Sequence, residues 1–236
     1  MSTIFLPNGL PVLLTRKPIK YIRCSVHPPH GDVRVSAPRH VRLEDIQGFL
    51  AARQDWIERQ RQRILARPAV PPCRYVDGER LRLWGDPLLL RVEERNAPAR
   101  TVLENTELRL TVRPDADMRV RERAVEAWRR RTLLAEVGLL LPRWQETMGV
   151  TVRSVSARRM KSRWGSCTPA QASLRLSTTL VSLPREFLEY VLVHELAHLM
   201  ERSHNARFYA LMDKYIPQWP TLRRQLNGHA ADARVF

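Results

Sequence analysis

Tyr190-Val191-Leu192-Val193-His194-Glu195-Leu196-Ala197-His198-Leu199-Met200-Glu201-Arg202-Ser203-His204 is the stretch from which the rest of the chain is read. It contains H-E-x-x-H at 194–198. On a helix, His194 and His198 stack on one face, roughly 6 Å apart. Two imidazoles at that spacing can grip one metal ion, and Glu195 beside them can take a proton from a water on that ion. Tyr190, Val191, Leu192, Val193, Leu196, Ala197 and Leu199 make the helix apolar on nearly every side, which predicts burial. Buried His and Glu need partners, and a metal ion supplies one to all of them.

A catalytic zinc usually has three protein ligands and a water. His204 lies six residues after His198, giving H-E-x-x-H-x-x-E-x-x-H. This is the metzincin spacing with Glu201 in place of the glycine that turns the chain. Ser203 or Asn205 is a good N-cap for a new helix, so a break near 203 would let His204 point back at the metal. Glu201 is the rival ligand. On a continuous helix it lies about 10 Å along the axis from His194, which favours His204 as the third ligand.

The chain has 236 residues, 44% of them hydrophobic, enough to bury a core and too many for a disordered chain. No apolar run reaches about 18 residues, so no membrane span is expected. The N-terminus lacks the basic and apolar regions of a signal peptide. Cys24, Cys73 and Cys167 are scattered and odd in number, which fits a reducing cytoplasm and does not suggest a disulfide framework. Net charge is +16, which admits nucleic acid as a partner. The Arg residues are spread along the whole chain, so a solvated basic surface is the preferred reading and a nucleic-acid partner is not favoured.

Residues 19–26 and 33–36 read as strands around a His-Pro-Pro-His-Gly-Asp turn, and 43–65 as one long amphipathic helix with Ile46, Phe49, Leu50, Trp56, Ile57 and Ile64 on its apolar side. Residues 67–72 read as a stiff linker. Short strands at 80–84, 88–93, 101–103 and 107–112 read as an antiparallel meander continuing the first sheet. A helical segment over 118–148 is expected to kink or restart at Pro142 and to end at Gly149. Strands follow at 150–156 and 173–180, with Ser182 as a plausible cap before the motif helix. Helices are expected at 205–215 and 217–226, and a tail at 229–236. No internal repeat is visible. Between the two late strands lies Arg158-Arg-Met-Lys161-Ser-Arg163-Trp-Gly-Ser-Cys167-Thr168, which reads as a turn flanked by bases.

Taken together, Arg163-Trp164-Gly165-Ser166-Cys167, Leu174-Arg175-Leu176, Pro184, Leu188 to His198, His204, Phe208, Pro217 and Trp219 resemble the YgjP-like family of zinc metallopeptidases, relatives of the SprT and WLM groups. Val33 to Pro38 and Trp56-Ile57 also fit, so the resemblance covers roughly 19–226. It implies Zn2+ on His194, His198 and His204, with Glu195 catalytic. The expected fold class is α+β: an N-terminal, mostly antiparallel β-sheet region with a long helix (1–115), followed by a zincin-like helical metal-binding domain with a small sheet (116–228). The expected function is hydrolysis of peptide bonds by a zinc-activated water with Glu195 as general base. Arg163 and Lys161 are candidate stabilisers of the transition state if the 158–168 turn lies over the metal. Cys167 reads first as packing, with a ligand or redox role as the alternative. Strand 173–178 could offer an edge to an extended peptide. The alternatives are a hydrolase of nucleotides or other phosphorylated small molecules, which needs bases converging on the metal, and a nucleic-acid-associated protease of SprT type.

Overall fold

The computed structural model describes residues 2–27, 30–66, 73–160 and 162–229. The chain divides into two compact units, Met1–Val70 and Pro71–Phe236. The expected linker at 67–72 and the tail beyond His229 lie outside the described residues.

The first unit holds strands β1 (Ser2–Phe5), β2 (Pro11–Lys17), β3 (Arg23–His27) and β4 (Asp32–Pro38), in the order β1-β2-β4-β3. The outer pairs are antiparallel and the central pair β2–β4 is parallel. Val12, Leu14, Val33, Val35 and Ala37 alternate onto one face, where Ile46, Leu50 and Ile57 bury against them. The long helix expected over 43–65 is instead two helices, α1 (Leu43–Ala51) and α2 (Gln54–Leu65). The chain leaves helical geometry at Arg53 (φ −115°, ψ 10°), whose guanidinium lies 4.0 Å from the Phe49 ring. The break re-aims the helix, so Ile57 packs with Ile46 and Leu50 while Trp56 stays partly exposed.

The second unit opens with β5 (Arg80–Leu83), β6 (Asp86–Glu94), β7 (Arg100–Glu104) and β8 (Glu107–Val112), a separate sheet of order β5-β6-β8-β7. It does not continue the first sheet and is not a meander, because its central pair β6–β8 is parallel. Its strand order and senses repeat those of the first sheet, and each sheet is followed by helix. The repeat is one of topology: the connecting turns differ, which hides it from the sequence. Leu81, Leu88, Leu90, Leu108 and Leu110 bury in the same core as the motif helix, so the compact units part near residue 70 rather than at the expected 115–116 boundary.

Helix α3 (Met118–Met148) runs unbroken through Pro142 and neither ends nor restarts there. Asp117 caps its start by accepting from Val120 N–H at 2.8 Å, and Gly149 ends it at φ 65°. A three-stranded sheet follows, with β9 (Ser154–Arg158), β10 (Gly165–Thr168) and β11 (Ser173–Ser177) in the order β10-β11-β9. The Trp-Gly-Ser-Cys stretch, expected to be a turn, therefore enters a strand. Residues 173–177 are the central strand rather than an edge, and a 3-10 segment at 178–182 replaces the end of the expected strand.

That segment is fixed from two sides before α4 (Arg185–Met200) begins. The β5–β6 turn uses two positive-φ residues, Trp84 (53°) and Gly85 (93°), as tight two-residue hairpins demand. Trp84 N–H donates to Val181 C=O at 2.7 Å, and a Cβ on Gly85 would lie 3.1 Å from Pro184 Cγ. From the other side, Glu126 of α3 accepts from Thr178 Oγ1 at 2.8 Å and pairs with buried Arg129 at 2.9 Å. Pro184, not Ser182, occupies the N-cap position of α4. Helices α5 (Ala206–Tyr215) and α6 (Trp219–His229) pack against α4 and complete the unit.

Candidate metal centre

Helix α4 is buried along nine of its residues, from Phe187 to Ala197. It ends at Met200, and Glu201 turns extended (φ −143°, ψ 114°). Asn205, one of the two candidate caps, starts α5 by accepting from Phe208 N–H at 3.0 Å. The corner between α4 and α5 swings His204 back over His194 and His198. Its Nε2 lies 3.1 Å from that of His194, and one ligand nitrogen from each of the three histidines falls within 4.8 Å of the others. Three nitrogens around a tetrahedral zinc at its usual bond length lie about 3.3 Å apart. The triad thus fits a metal ion with little rearrangement. Two imidazole nitrogens facing each other at 3.1 Å also require a proton or a cation between them.

Phe208 forms the floor of the triad. Its ring centroid lies 4.7–4.9 Å from all three imidazoles. His198 Nδ1 lies 3.0 Å from the Glu201 carbonyl oxygen, which assigns Nδ1–H as the donor and leaves Nε2 for a metal. Glu201, the rival ligand, takes part through its backbone. Its carboxylate accepts from Ser203 N–H at 3.1 Å and is not in the cluster. Burial, reinforced by His198, His204 and Arg223, pushes His194 down to about 3, so it stays neutral and able to ligate. His204 is lowered by burial and then by His198 and Arg223.

Glu195 is 5% exposed and lies beneath β10. A Cβ on Gly165 would fall 2.6 Å from Glu195 Oε1, so only glycine leaves the carboxylate room. Burial raises Glu195 to about 8, opposed by the Arg163 charge and by Cys167 N–H, which donates to the carboxylate. That bond also reveals the register of β10. Ser177 N–H donates to Trp164 C=O, so 164, 166 and 168 face β11, while 165 and 167 turn their backbone groups outward. The outer edge of β10 thus borders the site.

A cavity of about 700 Å³ opens over the three histidines and Glu195. Arg163 lines it, and Lys161 lies outside the described residues. Cys167 lines it half-buried. Its thiol is pushed up to about 11 by burial and then by Glu195, and it stands outside the histidine cluster. The sequence reading missed Tyr190, Arg202 and Arg223, which also line the cavity. Arg223 lies 19 residues beyond His204, and no spacing rule ties it to the motif.

Residues 20–229 match the family model described as YgjP-like, metallopeptidase domain. The chain belongs to the YgjP-like family. Membership makes this YgjP-like chain a hydrolase domain of metallopeptidase type and implies a metal ion, for which the histidine triad has the right donors. A curated relative, the UTP pyrophosphatase of Escherichia coli (strain K12), is 40% identical over 58 residues, 25% of this chain and 35% of that protein. The match thus spans about a third of the relative's length. Among solved structures, the metallopeptidase zymogen abylysin of Pyrococcus abyssi is similar over 38% of this chain and 90% of its own, at 23% identity and TM-score 0.36. Jannalysin of Methanocaldococcus jannaschii, also a metallopeptidase zymogen, is similar over 41% of this chain and 94% of its own, at 19% identity and TM-score 0.34. Among the described residues no helix is long and apolar enough to cross a membrane.

Metal content separates the two candidate third ligands. His204→Ala is expected to lose most of its bound metal, whereas Glu201→Ala keeps a near-stoichiometric amount, as measured by elemental analysis of purified protein. Metal retained in the His204 variant and lost in the Glu201 variant would overturn the three-histidine assignment.

Proposed function

We propose that this chain is a zinc-dependent metallopeptidase of reducing compartments such as the cytoplasm, with His194, His198 and His204 as metal ligands and Glu195 as general base. The observation that carries the peptide reading is the outward edge of β10 beside the triad. Gly165 N–H and C=O and Cys167 C=O face away from β11 and can pair with an extended peptide. Such pairing would hold the peptide in register with the three histidines. A zinc ion held there supplies Lewis acidity, which lowers the pKa of a water and polarises the target bond. Glu195, fixed by Cys167 N–H, takes the proton from the attacking water and returns it to the leaving amine. Arg163, which lines the cavity and whose charge reaches the Glu195 carboxyl, would favour the charge that develops on the target oxygen.

A second reading, hydrolysis of a phosphoanhydride, is favoured by one observation. Glu195 is the only acid among the described residues lining the cavity, against Arg163, Arg202 and Arg223. The curated relative carries a pyrophosphatase name, which points the same way. One assay tests both readings: zinc-loaded protein incubated with an unfolded protein substrate and, separately, with nucleoside triphosphates, each beside Glu195→Gln. Peptide cleavage that is lost in the variant supports the first reading. Triphosphate cleavage alone transfers the function to the second, and no Glu195-dependent turnover of either rejects the hydrolytic centre.

A further inference from the structure

Three arginines line the cavity, and none of them has a carboxylate within ion-pair distance among the described residues. Elsewhere on this basic chain many surface arginines are paired, for example Arg91, Arg109, Arg159 and Arg185. Unpaired cations gathered at one concave, metal-competent site raise the local positive potential and favour anions.

The three come from different walls. Arg163 precedes β10, Arg202 follows α4, and Arg223 sits on α6. Arg223 is exposed, and its guanidinium sits beside an aromatic ring. Its guanidinium lies 5.9 Å from the Trp219 ring, Trp219 stacks on Tyr209 at 5.2 Å, and Tyr209 faces the His204 ring at 6.4 Å and 27°. Trp219 Nε1–H donates to Asp213 at 2.7 Å, which fixes the indole. One aromatic series therefore connects the third histidine to Arg223. The Arg223 charge is felt at His194, His204 and Tyr190, whereas the Arg163 charge is felt at Glu195. The two guanidiniums thus line one cavity from different elements, the segment before β10 and helix α6.

We infer that Arg163 and Arg223 form a two-walled subsite for an anionic group of the substrate, a phosphate or a carboxylate, next to the bond that is cleaved. Arg202 adds charge at its rim. Arg223 is the specificity-determining residue, and Trp219 positions it. The inference rests on the reading that the histidine triad and Glu195 are the hydrolytic centre, and it holds for an acidic peptide as well as for a nucleotide.

The test is calorimetric binding of pyrophosphate and of N-acetyl-aspartate to the zinc-loaded full chain, for wild type, Arg163→Gln, Arg223→Gln and Arg224→Gln. Arg224 is exposed on the same helix, does not line the cavity and carries the same charge. Loss of a charge-assisted contact is expected to weaken binding about tenfold or more in each of the first two variants. Arg224→Gln is expected to bind as wild type does. Tighter binding of pyrophosphate assigns the subsite to phosphate, and tighter binding of N-acetyl-aspartate assigns it to a side-chain carboxylate. Equal weakening by Arg223→Gln and Arg224→Gln would show general electrostatics only and overturn the subsite, as would an Arg223 variant that binds like wild type. Glu195→Gln is expected to keep anion binding while losing hydrolysis. Turnover that needs Glu195 without Arg223-dependent binding rejects the subsite and leaves the centre standing. Arg223-dependent binding without Glu195-dependent turnover rejects the centre instead.

Discussion

Replacing Glu195 with glutamine is expected to lower hydrolysis by roughly 10²–10⁴-fold, the usual contribution of a positioned general base, while leaving the bound metal in place. The same change is expected to stabilise the metal-stripped protein. Glu195 is almost fully buried, and its pKa in the folded, metal-free chain is raised from the ordinary carboxyl value to about 8. An unfolded chain releases this proton near pH 4.5, whereas the folded chain holds it to about 8. Across that window the unfolded state binds fewer protons, so stability falls as pH rises and the loss is complete above about 8. Glutamine has no proton to lose. The variant's advantage is therefore small near pH 4.5 and grows to a few kcal/mol by pH 8, about 5 °C or more in Tm. Thermal melts of the chelated wild type and variant at pH 5 and pH 8 check this. A constant difference between the two pH values would mean that the carboxyl is not held protonated by burial. With the triad occupied, a nearby positive charge favours the ionised carboxylate, so the stability cost of burying it becomes the basicity that the reaction uses.

Gly165→Ala is expected to lower activity by about 10²-fold through a single methyl group. Gly165 does not have positive φ, so alanine meets no backbone penalty there. The obstacle is the Glu195 side chain, whose Oε1, Cγ and Cδ would lie 2.6, 2.8 and 3.0 Å from the new Cβ. The carboxylate can move only by leaving the Cys167 N–H that holds it. Metal content in this variant is expected to match wild type, because the atoms nearest the new methyl group belong to Glu195 and not to a histidine. Steady-state kinetics beside elemental analysis separates displacement of the base from loss of the metal. A wild-type rate in Gly165→Ala would show that the tight fit of Glu195 under β10 has no catalytic consequence.

The half-buried pair His194 and His198, the acid between them and a helix break ahead of Asn205 were legible because they depend on local spacing, although the break was expected near 203 and the helix ends at Met200. His194 and His198 share a face by helix geometry alone, and Asn205 carries a capping signal that any reader of the chain can see. The family likeness of the Trp-Gly-Ser-Cys stretch pointed to the second wall of the site. Its secondary structure did not show, because Gly165 to Thr168 become a strand only by pairing with β11. The central position of β11 was hidden for the same reason. Strand order is a property of partners, and residues 173–177 carry the same alternation whether one edge or both are paired.

The sequence by itself determined that this protein carries a buried helix with two histidines on one face and an acid beside them, because a helical repeat places residues four apart on one face whatever surrounds them. Only the tertiary structure decided that Gly165 makes room for Glu195 and that His204 rather than Glu201 joins the cluster. It also brought Arg223, from the last helix, to the cavity that Arg163 lines. Those relations join groups far apart in the chain, and only the packing of α5 and α6 against α4, and of α4 against β10, sets their distances.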